Sequence, residues 1–293
     1  MPNTYFSDRT RGPSPRIQEK ITEAAWGGIV ALLRKCLADG SFGYGFPEQC
    51  PDGEGTCGAS EYDFSLALRA EIPEIEWPLH AQQLPPTLAA LDLLEFCHRA
   101  IGRPIQGSFH SFFRHYHLGF DSEPGKVEFC DNVNRIFARN QLGYELSSAG
   151  QIARLAPPVV REALASAIFR TGDTKLDDLL QTAVSRFTDP DLAVRRDALE
   201  KLWDAWERLK TIEPGKDKKE SASALLNRIT SEPNLRETLE AEAKELNRIG
   251  NTFHIRHSET TQVELELGEH VDYLFHRLFA LIRLALRVTG RGS

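Results

Sequence analysis

Apolar residues recur at three- and four-residue steps through most of this chain, which is the period of amphipathic helices. From Pro15 onward Ile17, Ile21, Ala25, Ile29, Leu32, Leu33 and Cys36 predict a first helix, and Gly40 supplies its stop. Pro85 and Pro86 open a second, Thr87 to Ile101, carrying Leu88, Leu91, Leu94 and Phe96. A third spans Lys126 to Asn140, with Phe129, Val133, Ile136 and Phe137 inward. Alternation replaces this period once, where Tyr144-Glu145-Leu146 and Gln151 to Leu155 flank Ser147 to Gly150 and predict a small β-hairpin. Helix followed by hairpin is wing-like, but too few Lys and Arg surround it for DNA binding.

Pro157-Pro158 marks the predicted domain boundary, and the pattern beyond it is helical throughout. Val159 to Phe169 predicts one helix. Thr174 with Asp177 forms a capping-box start for the next, which runs through Phe187. Asp189-Pro190, an N-cap with Pro at the first helical position, opens the cleanest pattern. There Leu199, Leu202, Trp203, Trp206 and Leu209 share one stripe, so both Trp belong to a core. After the charged loop 213–220 comes a short helix, 223–229. Ser231 then caps a helix striped by Leu235, Leu239, Leu246 and Ile249. Val271, Leu274, Phe275, Leu278, Leu281, Ile282 and Ala285 face inward on the last. The expected fold class is mainly α: a helical N-terminal module with a small β-hairpin over 1–156, then an up-and-down helical bundle over 157–293.

Composition narrows this only a little. With 41% hydrophobic and 26% charged residues, the 293-residue chain is ordinary globular material with enough apolar side chains for a sizeable core. Residues 1–156 carry 14 basic and 19 acidic side chains and the remainder 21 and 23. A nucleic-acid coat shows a basic excess instead, so any RNA contact is expected to be local and DNA is not expected. The first residues lack the apolar run of a secretory signal, and nothing approaches the length of a membrane span, so no membrane association is expected. Five irregularly spaced Cys read as reduced thiols of a cytoplasmic protein. Residues 41–60 are Gly-rich with Pro47 and Pro51 and read as a loop or insertion; they lack the Gly-Lys-Ser/Thr ending of a phosphate loop.

Candidate chemistry concentrates in 246–259, between the last two helical patterns. Arg248, Asn251, His254, Arg256, His257 and Glu259 fall within it. A His, an Arg and an amide together provide the proton shuttle, charge clamp and orienting group that phosphodiester cleavage needs. The plainer alternative is a solvated corner in which His254 caps a helix or is partly buried. Elsewhere His110, His115 and His117 stand among aromatics, but no neighbouring carboxylate or Cys completes a ligand set, so 109–118 reads as a packing or docking segment. Cys50 and Cys57 lack zinc-knuckle spacing and read as incidental thiols. No metal and no cofactor are expected.

The stretch Gly250-Asn251-Thr252-Phe253-His254-Ile255-Arg256-His257 resembles the signature of HEPN domains, an Arg, often Arg-Asn, followed four to six residues later by His. Asn251 takes the family Asn position and His257 the family His, while Gly250 stands where the family Arg would be. Arg248 to His254 has the permitted gap in another register, and Arg256 is the other source of a guanidinium. The chain as a whole resembles abortive-infection proteins of the AbiJ type, through Phe6-Ser7-Asp8-Arg9 with Gly12 and Pro15, Val133 to Phe137 with Tyr144 to Leu146, Ala198 to Trp203, and Ile255 to Glu259. The resemblance implies a bacterial phage-defence protein with a sensing or regulatory N-terminal module. It also implies a metal-independent endoribonuclease or RNA-binding bundle whose protomers pair as a homodimer. In the enzymatic version His257 is the general acid/base, Arg256 or Arg248 steadies phosphate charge, Asn251 orients the scissile group and Glu259 fixes the His257 tautomer. Glu207 is an auxiliary candidate. A non-catalytic HEPN-like interaction or dimerisation module, whose N-terminal half senses a phage or host component, is the alternative.

Overall fold

A computed structural model describes residues 5–12, 14–156, 164, 167–253, 263 and 265–292. Among them are ten α-helices and three two-stranded antiparallel ribbons, a mainly helical architecture. None of these helices is long and apolar enough to cross a membrane. Contacts divide the chain into two compact units, Met1–Leu155 and Ala156–Ser293.

In the first unit the elements are α1 (Phe6–Arg11), α2 (Glu23–Ala38), β1 (Pro47–Gln49), β2 (Thr56–Ala59), α3 (Glu61–Glu71), α4 (Thr87–Ala100), β3 (Arg103–His110), β4 (His115–Asp121), α5 (Ser122–Arg139), β5 (Tyr144–Leu146) and β6 (Ile152–Arg154). The helix expected from Pro15 starts later, at Glu23. Thr22 caps it, its hydroxyl accepting from the Ala25 N–H at 3.3 Å. Residues before it run extended instead: Gln18 N–H donates to the Gln141 carbonyl at 2.9 Å, and Gly143 N–H donates to the Gln18 carbonyl at 2.8 Å. Ile17 is therefore exposed, whereas Ile21, Ala25, Ile29 and Leu33 enter the core. Gly40 ends α2 with φ +80, a conformation that favours Gly.

The Gly-rich segment is not an appended loop. It forms a 3₁₀ turn (Ser41–Tyr44) and the β1–β2 ribbon, and it buries Phe42 and Cys50. The β5–β6 hairpin forms where alternation predicts it, pairing Tyr144 with Arg154 and Leu146 with Ile152. It is clamped to the helices rather than projecting as a wing. The Asn134 amide donates to the Leu146 carbonyl at 2.9 Å and accepts from its N–H at 2.8 Å, and Glu95 accepts from Ile152 N–H at 2.6 Å. Tyr144 and Leu146 are buried.

The second unit contains α6 (Thr174–Phe187), α7 (Leu192–Leu209), α8 (Lys218–Ile229), α9 (Pro233–Thr252) and α10 (Gly268–Val288). Most of the helix expected over 159–169 lies outside the described residues. Helix α7 packs on both α6 and α10, and its stripe of Leu199, Leu202, Trp203, Trp206 and Leu209 is fully buried. Three caps sit apart from their expected positions. Asp191 replaces Asp189, and Glu232 replaces Ser231 because its two oxygens reach the Asn234 and Leu235 N–H groups. Asp173 replaces Thr174: its carboxylate accepts from Leu176 N–H at 2.9 Å and makes a two-point pair with Arg208 at 2.7 and 2.8 Å. Asp177, freed from a capping box, accepts from the Thr171 N–H and hydroxyl.

The Arg208 guanidinium, then the Leu176 N–H, hold the Asp173 carboxyl below its ordinary range. A depressed folded value means stabilisation that is present at neutral pH and lost as acid protonates the carboxylate. Asp173→Ala should cost about 1–2 kcal/mol at neutral pH, discounted for the partly exposed pair. Urea unfolding at pH 7 and at about pH 3 should show the gap to wild type closing in acid; an equal gap at both would remove the ionised cap from the account.

Candidate functional site

Helix α9 carries the described part of the 246–259 stretch. Leu246 and Ile249 turn into the core, and Phe253 caps the helix, its N–H donating to the Ile249 carbonyl at 3.0 Å. The chain departs at Phe253 and is held again at Val263, which bridges to Phe253 in parallel and donates from its N–H to the Thr252 carbonyl at 3.2 Å. His254, Arg256, His257 and Glu259 lie outside the described residues.

Arg248 and Asn251 are exposed, three residues apart on α9 and therefore on one side of it. Between them Gly250 is buried. A Cβ at this position would overlap Nε1 and Cδ1 of the Trp203 indole, so the close approach of α9 to α7 requires Gly here. The position where the HEPN resemblance would place an Arg is thus a packing contact. Trp203 Nε1 is buried and has no hydrogen-bond partner among the described residues.

The described cations along α9 are engaged by carboxylates. Arg248 makes a two-point pair with Glu245 at 2.9 and 2.7 Å, which raises the Arg248 pKa and lowers that of Glu245. Arg277 of α10 pairs with Glu242 at two points, both 2.8 Å, and is also raised by that partner. Lys210 bridges Glu207 at 2.6 Å and Asn247 at 2.8 Å, with its ammonium 5.5 Å from the Trp206 ring centroid. Glu207 is accordingly a member of an ion-pair network. Arg248 is more exposed than Arg277 and Lys210, its side chain 62% accessible, and an exposed pair costs little to exchange for a phosphate.

A second constellation arises in the first unit, where sequence reasoning rejects a ligand set. His110 and His115 are paired across β3 and β4, and His117 follows two residues later, so all three imidazoles share one face of the ribbon. Their ring centroids are mutually 5.7 Å apart. The β1–β2 turn lies against them and brings Cys50 and Asp52, the Cys and carboxylate that the local sequence lacks. His115 Nε2 is 3.2 Å from Cys50 Sγ, and His110 Nε2 is 2.6 Å from Asp52 Oδ2, which lies 4.0 Å from His117 Nε2. Cys50, His115 and His117 offer donor atoms all within 4.8 Å of one another, as do Cys50, Asp52 and His110. Cys57 belongs to neither group.

The turn itself is fixed by Gly53 at φ +78, by Cys50 N–H donating to the Gly55 carbonyl at 2.7 Å, and by Glu54 N–H donating to Asp52 Oδ1 at 2.9 Å. Burial, then the hydrogen bond with Asp52, pushes the Cys50 thiol up. Cys50 and the Glu54 N–H in turn hold Asp52 below its ordinary range. The ground for expecting no metal near these histidines, the absence of a companion Cys or carboxylate, therefore does not hold in the folded chain. The missing partners are about 60 residues away in sequence, where no local spacing could reveal them.

A family model described as AbiJ N-terminal domain 4 matches residues 4–170. This is more than half of the 293 residues, and the chain belongs to that family. No curated protein and no solved structure matches it. The matched region contains the whole Cys50–His117 constellation and ends before α9.

Placing the Arg of the HEPN signature at this position by Gly250→Arg should therefore disrupt the bundle instead of building a site. We expect Gly250→Ala to cost about 1–3 kcal/mol through overpacking against Trp203, and Gly250→Arg to cost more. Denaturant midpoints measure this. A wild-type midpoint for Gly250→Arg would mean that α9 and α7 do not approach as described.

Proposed function

We propose that this chain is a phage-defence protein of the abortive-infection type, with a regulatory N-terminal unit and a HEPN-like C-terminal unit that acts on RNA. The observation that carries the reading is the AbiJ N-terminal family match over 4–170. It leaves a second unit, with its own helical core, to supply an effector. Supporting the RNA-directed part is the position of the His- and Arg-containing segment, between a helix that ends at Thr252 and the last helix of the bundle.

In this reading cleavage follows metal-independent chemistry. His257 removes or donates the proton as the 2′-hydroxyl attacks the adjacent phosphate and the 5′-oxygen leaves. Arg256, or Arg248 released from Glu245, meets the charge that grows on the phosphoryl oxygens, and Asn251 orients the scissile group. Glu259 fixes the His257 tautomer, and His254 belongs to the alternative register with Arg248. Pairing of two protomers would bring two such motifs together.

One observation favours a second reading, a non-catalytic HEPN-like interaction module. The position of the HEPN-signature Arg is occupied by a Gly that packing requires, and the nearest described Arg is already ion-paired. There the stretch contacts a protomer or partner, and the N-terminal half senses a phage or host component.

Purified wild type and His257→Ala, incubated with total cellular RNA with and without EDTA, separate the two. RNA-directed catalysis predicts cleavage by wild type in both conditions and a loss of at least about 100-fold in His257→Ala, the scale of general acid–base catalysis. In phage-challenged cells the same variant should lose growth arrest while its circular dichroism stays unchanged. A folded His257→Ala protein that still arrests growth would sink the catalytic role and leave the interaction module.

A further inference from the structure

We propose that the first unit is a zinc protein, with Cys50, His115 and His117 as ligands and Asp52 in the fourth place. The donor set is mixed: one thiol, two imidazoles and one carboxylate. Together these select a borderline-soft, tetrahedral ion over magnesium or calcium, which take oxygen donors. A single Cys is too few for an iron–sulfur cluster. A carboxylate in the fourth place, where copper electron-transfer sites carry a weak thioether, favours zinc over copper.

Geometry supports the Cys50, His115 and His117 core, whose donor atoms lie within 4.8 Å of one another, with Asp52 bordering it. Zinc–sulfur and zinc–nitrogen bonds of about 2.3 and 2.0 Å at tetrahedral angles place S and N about 3.5 Å apart. Cys50 Sγ and His115 Nε2 stand at 3.2 Å, and Asp52 Oδ2 and His117 Nε2 at 4.0 Å. Both separations lie within about 1 Å of tetrahedral spacing.

The surrounding hydrogen bonds sort ligands from supports. His117 Nε2 is buried without a hydrogen-bond partner among the described residues, while Nδ1 of the same ring is 3.4 Å from the Ser108 hydroxyl. A proton on Nδ1, donated to Ser108, leaves a lone pair on Nε2 directed into the cluster. This is the arrangement of a metal-binding His held by an outer partner. His110 is oriented the other way. Its Nδ1 accepts from the Phe113 N–H at 3.2 Å, so its neutral ring carries the proton on Nε2 and donates it to Asp52 Oδ2. His110 is thus a positioning residue that aims the carboxylate. On binding, two bonds to imidazole, one to carboxylate and one to sulfur form, and the Cys50 thiol proton leaves to solvent as the thiolate coordinates.

The ion would join two ribbons that the backbone leaves separate, tying the β1–β2 turn to β3–β4. That ribbon ends in Phe112, Phe113 and Arg114, all exposed, with Arg114 at φ 56 in the turn. Zinc removal should loosen this tip.

The test uses the full chain expressed without a polyhistidine tag. Elemental analysis should find one zinc per chain in wild type and in Cys57→Ser, which lies outside the ligand set, and little in Cys50→Ser or His117→Ala. His110→Ala should bind zinc about 10–100-fold more weakly, as loss of an outer partner does. After chelation and cobalt addition, wild type should show the visible bands of four-coordinate cobalt with a thiolate charge-transfer band, and Cys50→Ser should lack the latter. Trypsin should cut after Arg114 faster in the chelated protein than in the zinc-loaded one. Wild type that neither carries zinc nor yields the thiolate–cobalt band on reconstitution would overturn the proposal. Stoichiometric copper, or equal metal in Cys50→Ser, would overturn the assigned ion or ligands. Because metal content is the readout, none of these outcomes depends on RNA cleavage.

Discussion

Every ribbon described in this chain has two strands, and an isolated two-stranded ribbon is marginal in water. Each must therefore be held by something outside its own ladder. For β5–β6 the support is visible: Asn134 of α5 satisfies both polar groups of Leu146, Glu95 of α4 caps Ile152, and Tyr144 and Leu146 fill the core beneath. The longer β3–β4 ribbon buries none of its residues completely: β3 is mostly exposed, and β4 mostly alternates exposed and half-buried residues. β2, α5 and the Ser41–Tyr44 turn pack against it, and the turn that carries Cys50 and Asp52 meets its histidine face. Three imidazoles, a thiol and a carboxylate thus occupy the place that aliphatic side chains fill elsewhere. Satisfying so many polar atoms in a small, half-buried space takes either a closed hydrogen-bond network or one central ion, and among the described residues His117 Nε2 has no hydrogen-bond partner.

The second unit obeys a different constraint, close packing around the indoles of α7. Trp203 and Trp206 are both buried, and the surface of α9 that meets Trp203 is reduced to bare backbone at Gly250. This contact decides how the polar stretch beyond can be used. It fixes Asn251 and Arg248 on the outer side of α9 and removes the intervening position from any role in charge stabilisation. In the proposed RNA-directed reading the guanidinium would come from Arg248 or from the segment between Phe253 and Val263, whose ends are joined by a bridge. Exposed ion pairs such as Arg248–Glu245 exchange partners at little cost. A pairing of this kind shields the guanidinium without committing it.

Legibility in the sequence followed the range of the interactions. Stripes at helical spacing located α4, α5, α7 and α10, because burial of one face is written locally in the order of residues. The hairpin at 144–154 was equally readable, since its alternation and its Gly-containing turn are adjacent. Helix starts were less so: Asp173, not Thr174, caps its helix, accepting from Leu176 N–H and also pairing with Arg208, 35 residues on, a partner the local sequence does not reveal. Pairing of Gln18 with 141–143, which straightens the chain around Ile17, was invisible for the same reason. The Cys50–His117 constellation is the extreme case. Its parts lie in a Gly-rich stretch and an aromatic one, each uninformative alone. Only the crossing of two ribbons, a consequence of the whole first unit, gives them a common centre. A ligand set spread this far is harder to see than a compact motif, and it is also a stronger constraint on the fold. Joining residues 50 and 117 closes a long loop, and the entropy removed by such a closure grows with the length of chain it encloses.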